Sequence, residues 1–120
     1  MKKLIIAFSI LAFFSFDSFS QKKIMQVTTV ESIIPGGLGR SKMIITNEDG
    51  TQMEKPMENF YSMVGINFGN IKSNELAILD ELKKWIAEGW ELKFTTTGVQ
   101  SPAQGGGSQG IYMTRYIFMK

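Results

Sequence analysis

The stretch Asn74–Phe94, NELAILDELKKWIAEGWELKF, decides the fold. Ile78, Leu79, Leu82, Trp85 and Ile86 recur at spacings of three, four and seven, which gathers them into one stripe at helical period. Asp80, Glu81, Lys83, Lys84 and Glu88 fall on the opposite side. Asp80–Lys84 and Asp80–Lys83 are acid-first pairs, the order that supports a helix. Ser73 and Asn74 can each cap the first turn, since a short side-chain oxygen accepts from its free amides. Glu75 then places a negative charge where the helix dipole favours one. The spacing predicts a helix over Asn74–Glu88.

Gly89 supplies the stop, because the residue after a helix C-cap commonly needs positive φ. Trp90 follows where an apolar contact back to the last turn is common. From Trp90 the period becomes two. Trp90, Leu92 and Phe94 alternate with Glu91, Lys93 and Thr95, predicting a half-buried strand over Trp90–Thr97.

The turn Ala87-Glu88-Gly89-Trp90-Glu91-Leu92 and the terminal Arg115-Tyr116-Ile117-Phe118-Met119-Lys120 resemble a family of small bacterial proteins of unknown function. Its members carry an AEGWEL helix-to-strand turn and a closing YIF strand. The resemblance runs from Asn74 to Lys120; Gln21–Lys72 departs from the plain family pattern. It implies a small α+β domain, and it implies no activity and no catalytic residues.

Outward from this unit, the N-terminus reads as an export leader. Lys2 and Lys3 precede an uncharged apolar run, Leu4–Phe16, and Ser18-Phe19-Ser20 puts small residues where a signal peptidase reads them. Cleavage is expected before Gln21, leaving residues 21–120 as one domain in the periplasm or outside the cell. The run is shorter than the roughly 20 residues that span a bilayer, and nothing in the mature part is longer. The chain has no cysteine, which excludes a lipid-anchored cysteine, disulfides and thiolate chemistry. Without Lys2, Lys3 and Asp17 the remaining charges nearly cancel, and no basic stripe points to nucleic acid.

Ile24–Ile34 is rich in β-branched residues and predicts a strand. Pro35–Gly39 is a turn or loop. Lys42–Thr46 is a second strand, Asp49-Gly50 marks a hairpin turn, and Thr51–Lys55 is the returning strand. Pro56–Lys72 reads as a loop with a short helical turn opening at Pro56. Gly98–Gly110 has the composition of a connector. Ile111–Met119 is apolar on both sides, as expected of a strand with neighbours and cover on both faces. The fold class is therefore α+β, an antiparallel sheet of about four strands with one amphipathic helix on one face.

The chemistry is restrictive. With no histidine and no cysteine, the common nucleophile–base and zinc arrangements are excluded. Glu88 and Glu91 flank Gly89 but sit at solvent-facing positions, unlike a carboxylate pair across a cleft. Asn47–Gly50 resembles part of a calcium loop. Its glycine, however, would place Ile45 and Pro56 at ligand positions where neither offers a side-chain oxygen. Gly36–Ser41 is glycine-rich but carries Arg40 where a phosphate loop has lysine, and it leads to a strand. The expectation is no enzyme, no catalytic residue, no metal and no cofactor. Arg115 is either a partner-binding cation or a surface arginine paired with Glu91 or Glu88. Two readings follow. One is an exported interaction protein that self-associates through its sheet as a homodimer. The other is a small-ligand module with a pocket between helix, sheet and residues 56–72, contacted by Phe60, Tyr61, Phe68 and Arg115.

Overall fold

The computed structural model describes residues 21–34, 40–100 and 110–120. The expected leader, the Pro35–Gly39 loop, most of the Gly36–Ser41 turn and the middle of the Gly98–Gly110 connector lie outside them. The elements are β1 (Ile24–Ser32), β2 (Lys42–Thr46), β3 (Gln52–Pro56), β4 (Tyr61–Ser62), β5 (Gly65–Ile66), α1 (Phe68–Ala87), β6 (Glu91–Gln100) and β7 (Ile111–Met119). Five strands form a sheet in the order β3-β2-β1-β7-β6, and β4 pairs with β5 in a separate ribbon. Each neighbouring pair is antiparallel. The class is α+β as expected, but the sheet has five strands rather than about four.

The Asp49-Gly50 turn joins β2 to β3 as the sequence indicated. Gly50 adopts φ +84°, Gly50 N donates to Asn47 O at 3.0 Å, and Asp49 accepts from Thr51 N and Oγ1. The helix ends on a Schellman motif. Gly89, at φ +92°, donates to Ile86 O, and Trp90 N reaches Trp85 O at 3.0 Å. The Trp85 and Trp90 rings meet edge to face at 6.5 Å, the apolar contact that accompanies this stop.

The helix starts earlier than expected. Asn67, not Ser73 or Asn74, is the N-cap, its side chain accepting from Asn70 N. Pro56 opens no helix; it ends β3, an edge strand, where a missing N–H is tolerated. The rest of Pro56–Lys72 holds the β4–β5 ribbon and the first helical turn.

The sheet's two faces follow from its register. One row runs Met53, Ile45, Val27, Tyr116, Thr95, and the next runs Glu54, Ile44, Thr28, Arg115, Thr96. Met25, Val27, Met43, Ile45 and Phe118 are buried on the Val27 face and cluster with Ile78 and Trp85 of α1. The helix stripe is narrower than the apolar spacing predicted: the buried residues of α1 are Asn74, Ile78, Glu81 and Trp85. Leu79 and Ile86 are exposed, and Glu81, expected on the solvent side, is buried. Glu81 is tolerated inside because it accepts from Trp85 Nε1 at 2.7 Å and pairs with Lys55 and Lys84.

β6 also departs from simple alternation. A register shift between Leu92 and Phe94 sets Leu92 opposite Phe118 and Phe94 opposite Ile117. The bulge at Lys93 therefore turns Leu92 and Phe94 to opposite faces. It also shows Gly98–Gln100 to be strand rather than connector.

Among the described residues one buried hydroxyl, Thr29 Oγ1, has no hydrogen-bond partner, and leaving such a bond unmade costs free energy. Thr29→Val keeps the shape and removes the orphan. Chemical denaturation should show the variant more stable than the wild type by about 1 kcal/mol.

Candidate interaction surface

Of the four residues singled out for ligand or partner contact, Phe60, Tyr61 and Phe68 lie in or beside the β4–β5 ribbon, and Arg115 lies apart from them on the sheet. Phe60 packs its ring against Tyr112 at 5.5 Å, beside the Val27 face. Tyr61 is half-buried in β4. Phe68 stands exposed at the start of α1. Arg115 lies on the Thr28 face, between Thr28 and Thr96. The expected pocket thus loses Arg115 to the other side of the sheet. Nor does Arg115 pair with Glu91 or Glu88: Glu91 is opposite Met119, four residues along β7, and joins Lys93 at 2.8 Å.

The Thr28 face is where Arg115 sits, and its composition is unusual for solvent. Strand alternation places Ile24, Val30, Ile44, Phe94, Ile111, Met113, Ile117 and Met119 on it. Ile24 and Phe94 are more than half exposed, at 53% and 61%, and the others are half-buried. The charges on this face are Arg115 near its middle, Glu91 at one end, and Lys42 and Glu54, which pair with each other at 2.6 Å. These residues include the aromatic and β-branched types that strands favour, and none belongs to the buried cluster.

A second constellation sits on the Val27 face near the end of β1, and sequence reasoning missed it. Asn74 is buried in α1 and works in three directions. Its Nδ2 donates to Glu31 Oε1 at 3.1 Å and to Glu58 O at 2.7 Å, while its Oδ1 accepts from Glu58 N at 2.8 Å. Nearby, Ser41 Oγ donates to Asn59 Oδ1 at 2.8 Å and accepts from Ser32 N at 2.9 Å. Asn70 Nδ2 reaches Asn59 O. This polar network ties the segment after β3 to both β1 and α1. Burial pushes the Glu31 carboxyl above the usual range; the Asn74 hydrogen bond opposes that and the Glu75 charge adds to it. Burial, with the charges of Glu31 and Glu75, likewise raises the Tyr116 hydroxyl. The paired polar character of Glu31, Asn74 and Glu81 leaves no periodic signal, since each interrupts or borders an apolar pattern.

A shallow cleft of about 330 Å³ opens at the other end of the sheet, lined by Lys23, Glu48, Asp49, Glu88, Trp90 and Lys120 among others. Its lysines are already engaged: Lys23 bonds Glu48 at 2.9 Å and Lys120 Nζ donates to Glu88 O at 2.7 Å. Among the described residues no three acidic side chains converge as a metal-binding group, and no helix is long and apolar enough to cross a membrane. No family model matches the chain, no curated protein matches it, and no solved structure matches it.

Glu31 carries a pH signature. Its folded-state pKa is raised, so between the ordinary glutamate range and the raised value the native state holds more of its proton than the unfolded chain does. The stability this gives is fully present below the ordinary glutamate range and is lost as pH rises through the raised value. Glu31→Gln keeps an oxygen for Asn74 and removes the charge. Thermal melts should place the variant a few degrees above the wild type at pH 7, with the two converging below about pH 4.

Proposed function

We propose that this chain is an exported, non-enzymatic interaction protein that associates with itself through its sheet. In this reading α1 lies across the Val27 face, and the Thr28 face is the surface offered to a second copy. The single observation that carries it is the apolar character of that second face, where Ile24, Ile44, Phe94, Met113 and Ile117 share one side of the sheet with few charges. Contiguous apolar surface of this kind on a soluble protein marks an interaction site.

The area fits a second copy. Strands about 4.8 Å apart and rising about 3.3 Å per residue give the five-stranded face a plan area of roughly 600 Å². A stable protein interface buries about 800 Å² per partner, counted as accessible surface. Two such faces stacked about 10 Å apart would form the interior of a sandwich. Side chains from the two copies would interdigitate as they do inside one domain. Arg115 would then sit at the interface, where its guanidinium sets the allowed orientation by avoiding its counterpart. Export rests on the leader pattern in residues 1–20, and the family resemblance rests on the two motifs that frame β6 and β7.

Ile117→Glu tests the reading. It introduces a carboxylate into the middle of the face without touching the buried cluster on the other side. Sedimentation velocity should report a larger assembly for the wild type than for the variant, with an unchanged circular dichroism spectrum and a face-to-face association at least tenfold weaker in the variant, equivalent to about 1.4 kcal/mol. A wild-type monomer at high concentration would remove the proposal.

A further inference from the structure

The two edges of the sheet are unlike. The β3 edge is short and guarded. Its five residues include Glu54, Lys55 and Pro56, and both charges are tied down, Glu54 by Lys42 and Lys55 by Glu81. Charges and proline at an edge discourage pairing with another strand. The β6 edge has ten residues, all exposed, and among the described residues it is paired on one side alone, to β7. Its guards, Glu91, the Lys93 bulge and nothing else, occupy its first third. Phe94-Thr95-Thr96-Thr97-Gly98-Val99-Gln100 carries no charge and no proline, and five of its seven residues are β-branched or aromatic, the types strands favour. An exposed, uncharged strand of this length, with one row of backbone donors and acceptors unpaired, is a template for another strand.

We propose that β6 pairs antiparallel with β6 of a second copy across a two-fold axis at Thr96. The residues make this register self-complementary. With Thr96 opposite Thr96 of the partner subunit, Phe94 faces a glycine and Gly98 faces a phenylalanine. The Phe94 ring, 61% exposed in the single chain, lies over the strand position that has no side chain, a pairing that compensates glycine in sheets. On the other side of the strand Thr95 faces a threonine and Thr97 faces a threonine, a pair that hydrogen-bonds across strands. Thr97 already makes such a contact inward, its hydroxyl lying 3.1 Å from that of Thr114. The charged residues stay apart, because the axis at Thr96 places the two copies of Lys93 about 20 Å from each other at 3.3 Å per residue. An antiparallel pair about an axis perpendicular to the sheet keeps both Thr28 faces on the same side. The result is a continuous ten-stranded sheet.

This inference rests on the reading that the protein self-associates through its sheet, and it assigns a contact separate from the stacked face. The chain has no cysteine, so a single introduced thiol reports on one position. In the full protein, Thr96→Cys puts two thiols on the axis, at the roughly 5 Å Cβ separation of directly opposed residues, within reach of a disulfide. Mild oxidation should convert most of the Thr96→Cys protein into a covalent dimer on a non-reducing gel. Gln100→Cys, four residues off the axis, and Asp80→Cys, on the exposed side of α1, should remain monomeric under the same treatment. Absence of the Thr96 product, or equal yields at all three positions, overturns the edge pair. Repeating the experiment with Ile117→Glu separates the two contacts. A Thr96 crosslink that persists in that background supports edge pairing independent of stacking. A dimer that is sensitive to Ile117→Glu yet gives no Thr96 crosslink overturns the edge pair and leaves the stacked face standing.

Discussion

A helix of 20 residues is about 30 Å long and 10 Å across, whereas the five-stranded sheet presents two faces each about 24 Å wide. One such helix cannot cover either face completely. This mismatch governs the rest of the molecule. Burial is concentrated where Ile78 and Trp85 meet Met25, Val27, Met43, Ile45 and Phe118. The Thr28 face carries further apolar residues, of which Ile24 and Phe94 are more than half exposed.

Polar contacts fix how the helix sits. Asn74 and Glu81, seven residues apart, occupy the same buried stripe as Ile78 and Trp85. Asn74 joins β1 through Glu31 and the segment after β3 through Glu58. Glu81 holds the Trp85 indole and pairs with Lys55 of β3. An apolar stripe alone would allow the helix to slide or rotate, because apolar contact is non-directional. Hydrogen bonds to named partners on three strands or segments allow one arrangement. Glu31 is the strained member of this set, a carboxyl raised by burial and only partly relieved by Asn74.

The parts of the fold written in local residue chemistry were legible in the sequence. Gly89 and Trp90 specify the helix stop through backbone conformation and a neighbouring ring, and Asp49-Gly50 specifies its hairpin in the same way. The alternation of β7 announced a strand with neighbours on both sides. What was not legible depends on partners distant in sequence. Glu81 looks like a surface acid until Lys55, 26 residues away, is beside it. Asn74 looks like a helix cap because asparagine caps helices often, and only Glu31, 43 residues away, explains its burial. The Lys93 bulge leaves no mark in the alternation of Trp90, Leu92 and Phe94, yet it moves Phe94 to the other face. Arg115 was correctly seen as the odd charge on an apolar strand, but its face could be assigned only with the register against β1 and β6.

The proposed dimer sets the Thr28 face against the same face of a second copy. Its methionines provide a direct probe, since Met113 and Met119 lie on that face while Met25 and Met43 are buried on the other. The measurement is an isotope-filtered NOE experiment on a mixture of labelled and unlabelled protein, read at the methionine methyl groups. Face-to-face stacking predicts intermolecular NOEs at Met113 and Met119 and none at Met25 and Met43. Intermolecular NOEs absent from Met113 and Met119 at concentrations where the protein is dimeric would contradict it.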